Sequence, residues 1–341
     1  VSTRMLTPTM RIYEPLTPAS KPLPVLIYFH GGGWTIGSIN SCGRFCNAIA
    51  ESGLTKVIAV DYRLAPENHY PIPLNDCREA VLWVREHATE LGINPSRITV
   101  GGDSSGGNLA IATALSPQCK GTIESLVVFY PVTKAYADNS DSWNRFGKGY
   151  ALDASIMEAF NDSYLGTHDA TDPLISVGHA ERRALRQLPR TLLVAAQRDI
   201  LASQGKEFCR RTGKQVRRVE LEGSVHLFIT VPGQEEAFRK ADTADIESKL
   251  DLDWEELKWK PTSKPLKPKF SKFYSVAPDG SLSKEVKEAI TDINGKYEFS
   301  NLRSNVWAFG FQKTGYITIA ADVNASNSVS VEILSKPNPP N

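Results

Sequence analysis

The chain has 341 residues, of which 41% are hydrophobic and 23% charged, and its formal net charge is +1. This near-neutral balance gives no electrostatic reason to expect nucleic acid or an anionic membrane surface as a partner. No apolar run in the sequence approaches the roughly 18–20 residues that a membrane-spanning helix requires.

Between residues 20 and 250, short apolar runs alternate with segments of helical spacing. The apolar runs predict six strands, namely VLIYF (25–29), KVIAV (56–60), RITV (97–100), SLVVFY (125–130), TLLVAA (191–196) and VRRVEL (216–221). Helical spacing predicts helices over residues 75–91, 104–115, 155–166 and 234–250, and Cys42 and Cys46 are predicted to lie on a further helix. Strands that alternate with helices favour an α/β fold, with a mostly parallel sheet and helices on both faces. We interpret the irregular stretch from about 135 to 185 as an insertion over one end of the sheet, and hence as a lid.

The composition changes near residue 250, and this change predicts a domain boundary. The first domain is expected to span residues 1–250, and the stretch 251–270, rich in proline and lysine, is expected to be an extended linker. Beyond the linker, alternating apolar residues such as Val329, Val331 and Ile333 indicate short strands. Residues 271–341 are therefore predicted to form a separate all-β module, a small sandwich.

A glycine-rich turn follows the predicted strand at 97–100. Residues 102–106 read Gly-Asp-Ser-Ser-Gly and fit the pattern G-x-S-x-G. In that pattern the serine is a nucleophile on a sharp strand-to-helix turn, and the glycines on either side leave room around it. A phosphate-binding loop is the alternative use of strand, glycine and helix. Its G-K-[ST] ending and the dinucleotide fingerprint G-x-G-x-x-G are both missing here. The spacing therefore selects Ser104 as a candidate nucleophile.

A serine nucleophile requires a general base, and the base requires an acid that orients it. Asp199 comes just after the predicted strand at 191–196, and His226 comes just after the one at 216–221. The chain order of serine, acid and histidine is the order found in α/β-hydrolases. Two further histidines follow Ser104, and His168 and His179 both fall in the predicted lid. We therefore predict that Ser104, Asp199 and His226 form a catalytic triad.

A second glycine-rich loop follows the strand at 25–29. It begins at His30 and contains Gly31, Gly32 and Gly33. Consecutive glycines at this place allow backbone N–H groups to approach a substrate oxygen closely, as an oxyanion hole requires. A flexible turn is the alternative interpretation.

Several segments together resemble the hormone-sensitive-lipase family of α/β-hydrolases, in the style of its bacterial esterases. They are HGGGW (30–34), DYRLAPE (61–67), GDSSGGN (102–108) and the surroundings of Asp199 and His226. The resemblance covers roughly residues 10–250. It implies a carboxylic-ester hydrolase without a cofactor or a metal ion. The absence of a C-x-x-C pair among the five cysteines agrees with the expectation that no zinc ribbon is present.

The resemblance also implies a role for each matching residue. Ser104 would be the nucleophile, His226 the general base and then the general acid, and Asp199 the residue that orients His226. The oxyanion hole would be formed by the backbone N–H groups of three residues: Gly32, Gly33 and Ser105. Support of these loops would come from three further residues: His30, Gly31 and Asp103.

This sequence departs from the family pattern beside the triad. Ser105 stands where the family usually has alanine, Ile200 where it has proline after the acid, and Leu227 where it has glycine after the histidine. The family's N-terminal helical segment, half of its lid, is absent or was cut off. We therefore expect a more open acyl pocket than is usual in the family.

The C-terminal segment resembles a carboxypeptidase-regulatory-like β-sandwich. Such modules occur mostly on exported bacterial proteins, which favours a periplasmic or secreted location over the cytoplasm. Its aromatic residues either bind a glycan or fill a small core: Tyr297, Phe299, Trp307 and Phe309.

Three functions remain in competition. The first is a serine carboxylesterase for short-acyl esters that works through an acyl-enzyme, with a small-molecule ester as its substrate. The second is a deacetylase of O-acetylated polysaccharide that the β-module anchors. The third is a non-catalytic small-molecule receptor on the same fold.

Overall fold

The computed structural model describes residues 1–16, 19–230, 234 and 237–238, together with the backbone of five strands between residues 270 and 332. The chain divides into two compact units, Val1–Thr230 with Glu236–Asp253, and Val231–Glu235 with Trp254–Asn341. Nearly all of the predicted helix at 234–250 and of the predicted linker at 251–270 lies outside the described residues.

An eight-stranded sheet forms the centre of the first unit. Its strands are β1 (Ser2–Thr7), β2 (Met10–Glu14), β3 (Leu23–Phe29), β4 (Lys56–Val60), β5 (Ile93–Asp103), β6 (Ser125–Phe129), β7 (Arg190–Arg198) and β8 (Val216–Val225). Their order across the sheet is β1-β2-β4-β3-β5-β6-β7-β8. The six strands from β3 to β8 are parallel, and β1 and β2 are added antiparallel at one edge. The predicted α/β fold with a mostly parallel sheet is confirmed.

Most of the predicted strands are buried because the sheet is covered on both faces, whereas β8, at the edge of the sheet, is mostly half-buried or exposed. Along β3, Ile27 and Phe29 face one hydrophobic cluster, and Leu26 and Tyr28 face the other. This alternation is the period of two that a pleated strand imposes, and both of its faces are apolar because both are covered. The β1–β2 hairpin was not predicted, since most of β1 is exposed and has no apolar run.

Seven helices are described in this unit. They are α1 (Gly43–Glu51), α2 (Ile72–Glu86), α3 (Ser105–Leu115), α4 (Asp141–Phe146), α5 (Ala154–Leu165), α6 (Arg182–Leu185) and α7 (Ala202–Arg211). Four of them had been predicted: α2, α3 and α5 over stated ranges, and α1 as the helix at Cys42 and Cys46. The prediction placed α2 three residues too late and extended it five residues too far. The overrun arose because Ala88 and Leu91 are buried although they lie beyond the helix end.

The parallel arrangement places the ends of successive strands at one edge of the sheet. Phe29 at the end of β3 pairs with Gly102 on β5, and Asp103 pairs with Phe129 at the end of β6. The loops that leave this edge therefore begin side by side. In open α/β sheets this carboxyl edge is where ligands bind.

In the second unit, the structure describes five short strands in two antiparallel sheets. The strands are β9 (Phe270–Val276), β10 (Leu282–Ile290), β11 (Lys296–Ser300), β12 (Ala308–Gly310) and β13 (Ser328–Glu332). One sheet has the order β10-β9-β12, and the other pairs β11 with β13. The sandwich stays a prediction, because the side chains that would pack it lie outside the described residues. Among the described residues of both units, no helix is long and apolar enough to cross a membrane.

Candidate active site

The turn between β5 and α3 holds Ser104 in a strained conformation. Its φ is 54° and its ψ is −117°, a region that residues with a side chain rarely adopt. Two backbone hydrogen bonds fix the turn, since Ser104 N donates to Phe129 O over 2.9 Å and Asn108 N donates to Ser104 O over 3.0 Å. The strain presents the Ser104 side chain at the strand edge, directly before the N-terminus of α3.

Glycines surround Ser104 because there is no space for Cβ atoms. A Cβ at Gly102 would lie 2.5 Å from both Gly106 O and Phe29 O, and a Cβ at Gly106 would lie 2.0 Å from Phe29 O. These contacts are with backbone atoms of the neighbouring strand and turn, which cannot move aside without displacing the nucleophile. The G-x-S-x-G spacing thus reflects the close approach of β3 to the turn.

We expect Gly106→Ala to destabilise the protein by about 3 kcal/mol, the upper part of the range for forcing atoms into a packed interior. Gly205→Ala is the matched control, since Gly205 also lies in a helix and an added Cβ would meet nothing within 4 Å. There the better helix propensity of alanine should stabilise by about 1 kcal/mol. Urea unfolding measures both changes, and equal effects in the two variants would contradict this explanation.

The structure brings Ser104, His226 and Asp199 together in one hydrogen-bonded row. His226 Nε2 lies 3.0 Å from Ser104 Oγ, and His226 Nδ1 lies 2.8 Å from Asp199 Oδ2. Ser104 is 5% exposed, and His226 and Asp199 are each 1% exposed. The Asp199 carboxylate can only accept a hydrogen bond, so the imidazole proton lies on His226 Nδ1. The lone pair of Nε2 is then directed at the Ser104 hydroxyl.

Neighbouring groups hold the acid and the base in place. Asp199 Oδ1 accepts a hydrogen bond from Leu201 N over 2.9 Å, so both carboxylate oxygens are used. The ring of Tyr130 packs against the His226 imidazole at 4.5 Å between centroids. Leu227 has a φ of +66°, which explains why the resembling family has glycine here. Ile200, in place of the family's proline, is buried.

Hydrogen bonds to two carbonyl groups fix the orientation of the peptide planes in the loop after β3. Gly31 O accepts from His30 Nδ1 over 2.8 Å, and Gly32 O accepts from Thr35 N and Ile36 N over 3.1 and 2.9 Å. In a trans peptide the N–H points opposite to the preceding C=O, so these bonds orient the N–H groups of Gly32 and Gly33.

Three N–H groups remain available for an anion. Within the described residues, the N–H groups of Gly32, Gly33 and Ser105 donate to no backbone or side-chain acceptor. The first two follow β3, and the third begins α3, where the helix dipole also favours negative charge. Because β3 and β5 are neighbours, the structure places all three at the strand edge that carries Ser104.

Three predicted support residues connect this loop with the serine turn. Asp103 Oδ1 accepts from Gly31 N and from the Tyr28 hydroxyl, each over 2.9 Å. Asp103 is fully buried, and this burial raises its pKa to about 6, against the opposing effects of Tyr28, Gly31 and His226. Burial also lowers the pKa of His30, while its bond to Gly31 and the nearby Asp61 raise it. His30 at neutral pH is thus an uncharged imidazole whose Nδ1–H donates to Gly31 O.

We expect Asp103→Asn to change how stability depends on pH. The folded protein raises the pKa of Asp103 from 3.8 to about 6, so folding favours its protonated form. The stability from this group is complete below pH 3.8 and is lost as the pH rises through about 6, roughly 3 kcal/mol in all. Urea unfolding at pH 4.5 and 7.5 should therefore show a smaller loss for the variant than for the wild type. Parallel pH profiles would contradict the buried carboxylate as the cause.

The sequence did not identify Phe160 as part of the site. It lies on α5, in the predicted lid, and a Cβ at Gly33 would come within 2.1 Å of its ring. The ring therefore covers the oxyanion loop on that side. The helix was predicted, but no feature of the sequence singled out this residue. The function of the segment as a lid stays a prediction.

The site contains no constellation of metal ligands. Across the described ranges, no group of three or more His, Cys, Asp or Glu side chains could hold a metal ion. The chemistry that the arrangement itself supports is proton transfer from Ser104 to His226, with three N–H groups beside the nucleophile.

Comparison with known proteins places this geometry in context. The family described as alpha/beta hydrolase fold matches residues 26–230. The arylesterase of Saccharolobus solfataricus is 36% identical over 232 residues, which cover 65% of this chain and 73% of the arylesterase. Lipase 2 of Moraxella sp. (strain TA144) is 32% identical over 262 residues, and the match spans 65% of this chain but only 59% of the lipase. Carboxyl esterase 2 of the fungus Tuber melanosporum has a similar structure, with 30% identity, a TM-score of 0.63, and coverage of 71% of this chain and 85% of that one.

Proposed function

The chain belongs to the alpha/beta-hydrolase family, in its hormone-sensitive-lipase-like group, and from this premise we propose that it is a serine carboxylesterase that cleaves short-acyl esters through an acyl-enzyme. The observation that carries the proposal is the hydrogen-bonded row of Ser104, His226 and Asp199 beside three unpaired backbone N–H groups. Relatives named arylesterase, carboxylesterase and ethyl acetate hydrolase support the choice of a carboxylic ester as substrate.

In the acylation step, Ser104 Oγ attacks the ester carbonyl carbon and transfers its proton to His226 Nε2. The carbonyl oxygen becomes an oxyanion and receives hydrogen bonds from the N–H groups of Gly32, Gly33 and Ser105. The C–O bond to the alcohol then breaks, and His226 gives its proton to the leaving alkoxide. The loss of one such oxyanion donor costs about 10²–10³ in turnover in enzymes of this kind.

In the deacylation step, a water molecule takes the place of the alcohol. His226 accepts its proton, the hydroxide attacks the acyl carbon, and the same N–H groups stabilise the second oxyanion. The bond to Ser104 Oγ breaks, the acid leaves, and Ser104 regains its proton from His226. Throughout the cycle Asp199 keeps the proton on His226 Nδ1 and stabilises the imidazolium when it forms.

The relative named ethyl acetate hydrolase supports the choice of short acyl groups. Apolar side chains beside the oxyanion loop agree with an uncharged ester. The Phe160 ring lies over Gly33, and the Ile36 side chain lies against Gly32, where a Cβ would be 3.1 Å from its Cγ1.

The experiment that tests the function uses p-nitrophenyl esters with acyl chains from acetyl to dodecanoyl, together with a fluorophosphonate probe. We expect the highest kcat/KM for acetyl or butyryl esters and a covalent adduct on the peptide that contains Ser104. A protein that hydrolyses none of these esters and forms no adduct would overturn the proposal, and would favour the receptor alternative.

The polysaccharide alternative has no support among the described residues. It depends on the side chains of Tyr297, Phe299, Trp307 and Phe309, which lie outside them. A glycan partner and export from the cytoplasm thus stay proposals. Deletion of residues 260–341 tests the former, since loss of acetylated-xylan hydrolysis with intact p-nitrophenyl acetate hydrolysis would favour it.

A further inference from the structure

The DYRLAPE segment at 61–67 has no task in the mechanism above, yet Tyr62 and Ala65 both contact the oxyanion loop at residues 30–34. The Tyr62 hydroxyl donates to His30 O over 2.7 Å, and its ring stacks on the His30 imidazole at 4.4 Å with an interplanar angle of 12°. Further along, Ala65 N donates to Trp34 O over 2.9 Å. The segment after β4 therefore supports the loop both before and after its glycines.

Tyr62 acts on the two peptide units that precede the Gly32 N–H. In the first peptide plane, between His30 and Gly31, His30 O accepts from Tyr62 and Gly31 N donates to Asp103 Oδ1. Both polar ends of this plane are therefore fixed. In the second peptide plane, between Gly31 and Gly32, Gly31 O accepts from His30 Nδ1. The stacked Tyr62 ring holds the imidazole that donates this hydrogen bond. A rotation of either plane would redirect the Gly32 N–H, because the peptide is rigid.

The Tyr62 hydroxyl keeps the proton that this hydrogen bond requires. Tyr62 is buried, and this burial, together with the nearby Cys77 thiol, raises its pKa. The hydroxyl therefore stays protonated and can donate to His30 O.

We propose that Tyr62 is a positioning residue of the oxyanion hole, which fixes the peptide planes before Gly32 through its hydroxyl on His30 O and its ring on the His30 imidazole. The inference rests on the proposed esterase function. It gives a task to a tyrosine that does not touch the reacting atoms. The predicted consequence is a defect confined to the transition state.

Tyr62→Phe keeps the stacked ring and removes only the hydroxyl. We expect kcat for p-nitrophenyl acetate to fall about 10-fold, less than for the loss of a direct oxyanion donor, with KM unchanged within about two-fold. An aryl trifluoromethyl ketone, which adds Ser104 Oγ to form an oxyanion, should bind about 10-fold more weakly, because its affinity depends on the same hole. Labelling of Ser104 by the fluorophosphonate should persist.

Tyr164→Phe is the matched control, because Tyr164 is another buried tyrosine, and its ring stacks on Trp34. In the described structure its hydroxyl has no hydrogen-bond partner, so we expect kcat and ketone affinity to stay within about two-fold of the wild type. Equal effects of the two substitutions, or a wild-type kcat in Tyr62→Phe, would overturn the inference.

If the wild type itself neither hydrolyses esters nor labels Ser104, the esterase proposal fails instead.

Discussion

Ser104→Ala should reduce the turnover of p-nitrophenyl acetate about 10⁶-fold, the scale observed when a triad nucleophile is removed. The physical reason is that Ser104 Oγ, which lies 3.0 Å from His226 Nε2, is the proposed nucleophile, so without it no acyl-enzyme can form at this residue. The N–H groups of the oxyanion hole remain, and they should support a small residual rate with water as the nucleophile. Initial rates at high enzyme concentration measure this remainder.

Ser96→Ala is the control for that variant. Ser96 is exposed near the start of β5, whereas Ser104 directly follows the end of that strand. The turnover rate of Ser96→Ala should equal that of the wild type. Removal of the Ser104 hydroxyl should leave the melting temperature within a few degrees of the wild-type value, because the substitution removes only one small polar group and keeps the rest of the turn. Retained turnover in Ser104→Ala would exclude the acyl-enzyme mechanism.

Asp199→Asn should lower kcat about 10⁴-fold while the protein remains folded. The amide can donate from its nitrogen to His226 Nδ1, which places the imidazole proton on Nε2 and directs it at Ser104 Oγ. In that tautomer His226 cannot accept the serine proton, although the distances of 2.8 and 3.0 Å in the row need not change. The measurement is kcat for p-nitrophenyl acetate in parallel with a thermal melt.

The same chemical change at an exposed aspartate provides the comparison. Asp141 lies on α4 and pairs with Arg145 one turn later, over 3.4 Å, in a surface ion pair of small energetic value. Asp141→Asn should keep the wild-type rate within about two-fold. If Asp199→Asn did the same, another group would have to orient His226, and the assigned row would be wrong.

The sequence was sufficient to predict the parallel sheet and to select Ser104, Asp199 and His226. These residues could be found because each follows a predicted strand, and strands that alternate with helical segments have a strong sequence signal. The hairpin of β1 and β2 lacked that signal, since β1 is mostly exposed. Local pattern alone does not reveal contacts that depend on the tertiary fold.

The support of the oxyanion hole shows the same limit more clearly. His30 and Asp103 stood inside glycine-rich motifs and were predicted as support, but Tyr62 and Phe160 were not. Tyr62 is 32 residues away from His30, and its hydrogen bond to the His30 carbonyl exists only once β4 lies beside β3. No spacing rule connects two such positions, so this relationship became visible only in three dimensions.

The proposed base belongs to the loop after β8, the outermost strand at its edge of the sheet, and lies 122 residues beyond the proposed nucleophile. During synthesis from the N-terminus, the sequence of the serine turn is complete long before the ribosome has added His226. On the proposed mechanism, the nascent chain hydrolyses no ester until His226 has been added and β8 has joined the sheet. Hydrolysis of a chromogenic ester should therefore report the last step in the folding of this sheet, and a ribosome-bound chain that stops before residue 226 should be inactive.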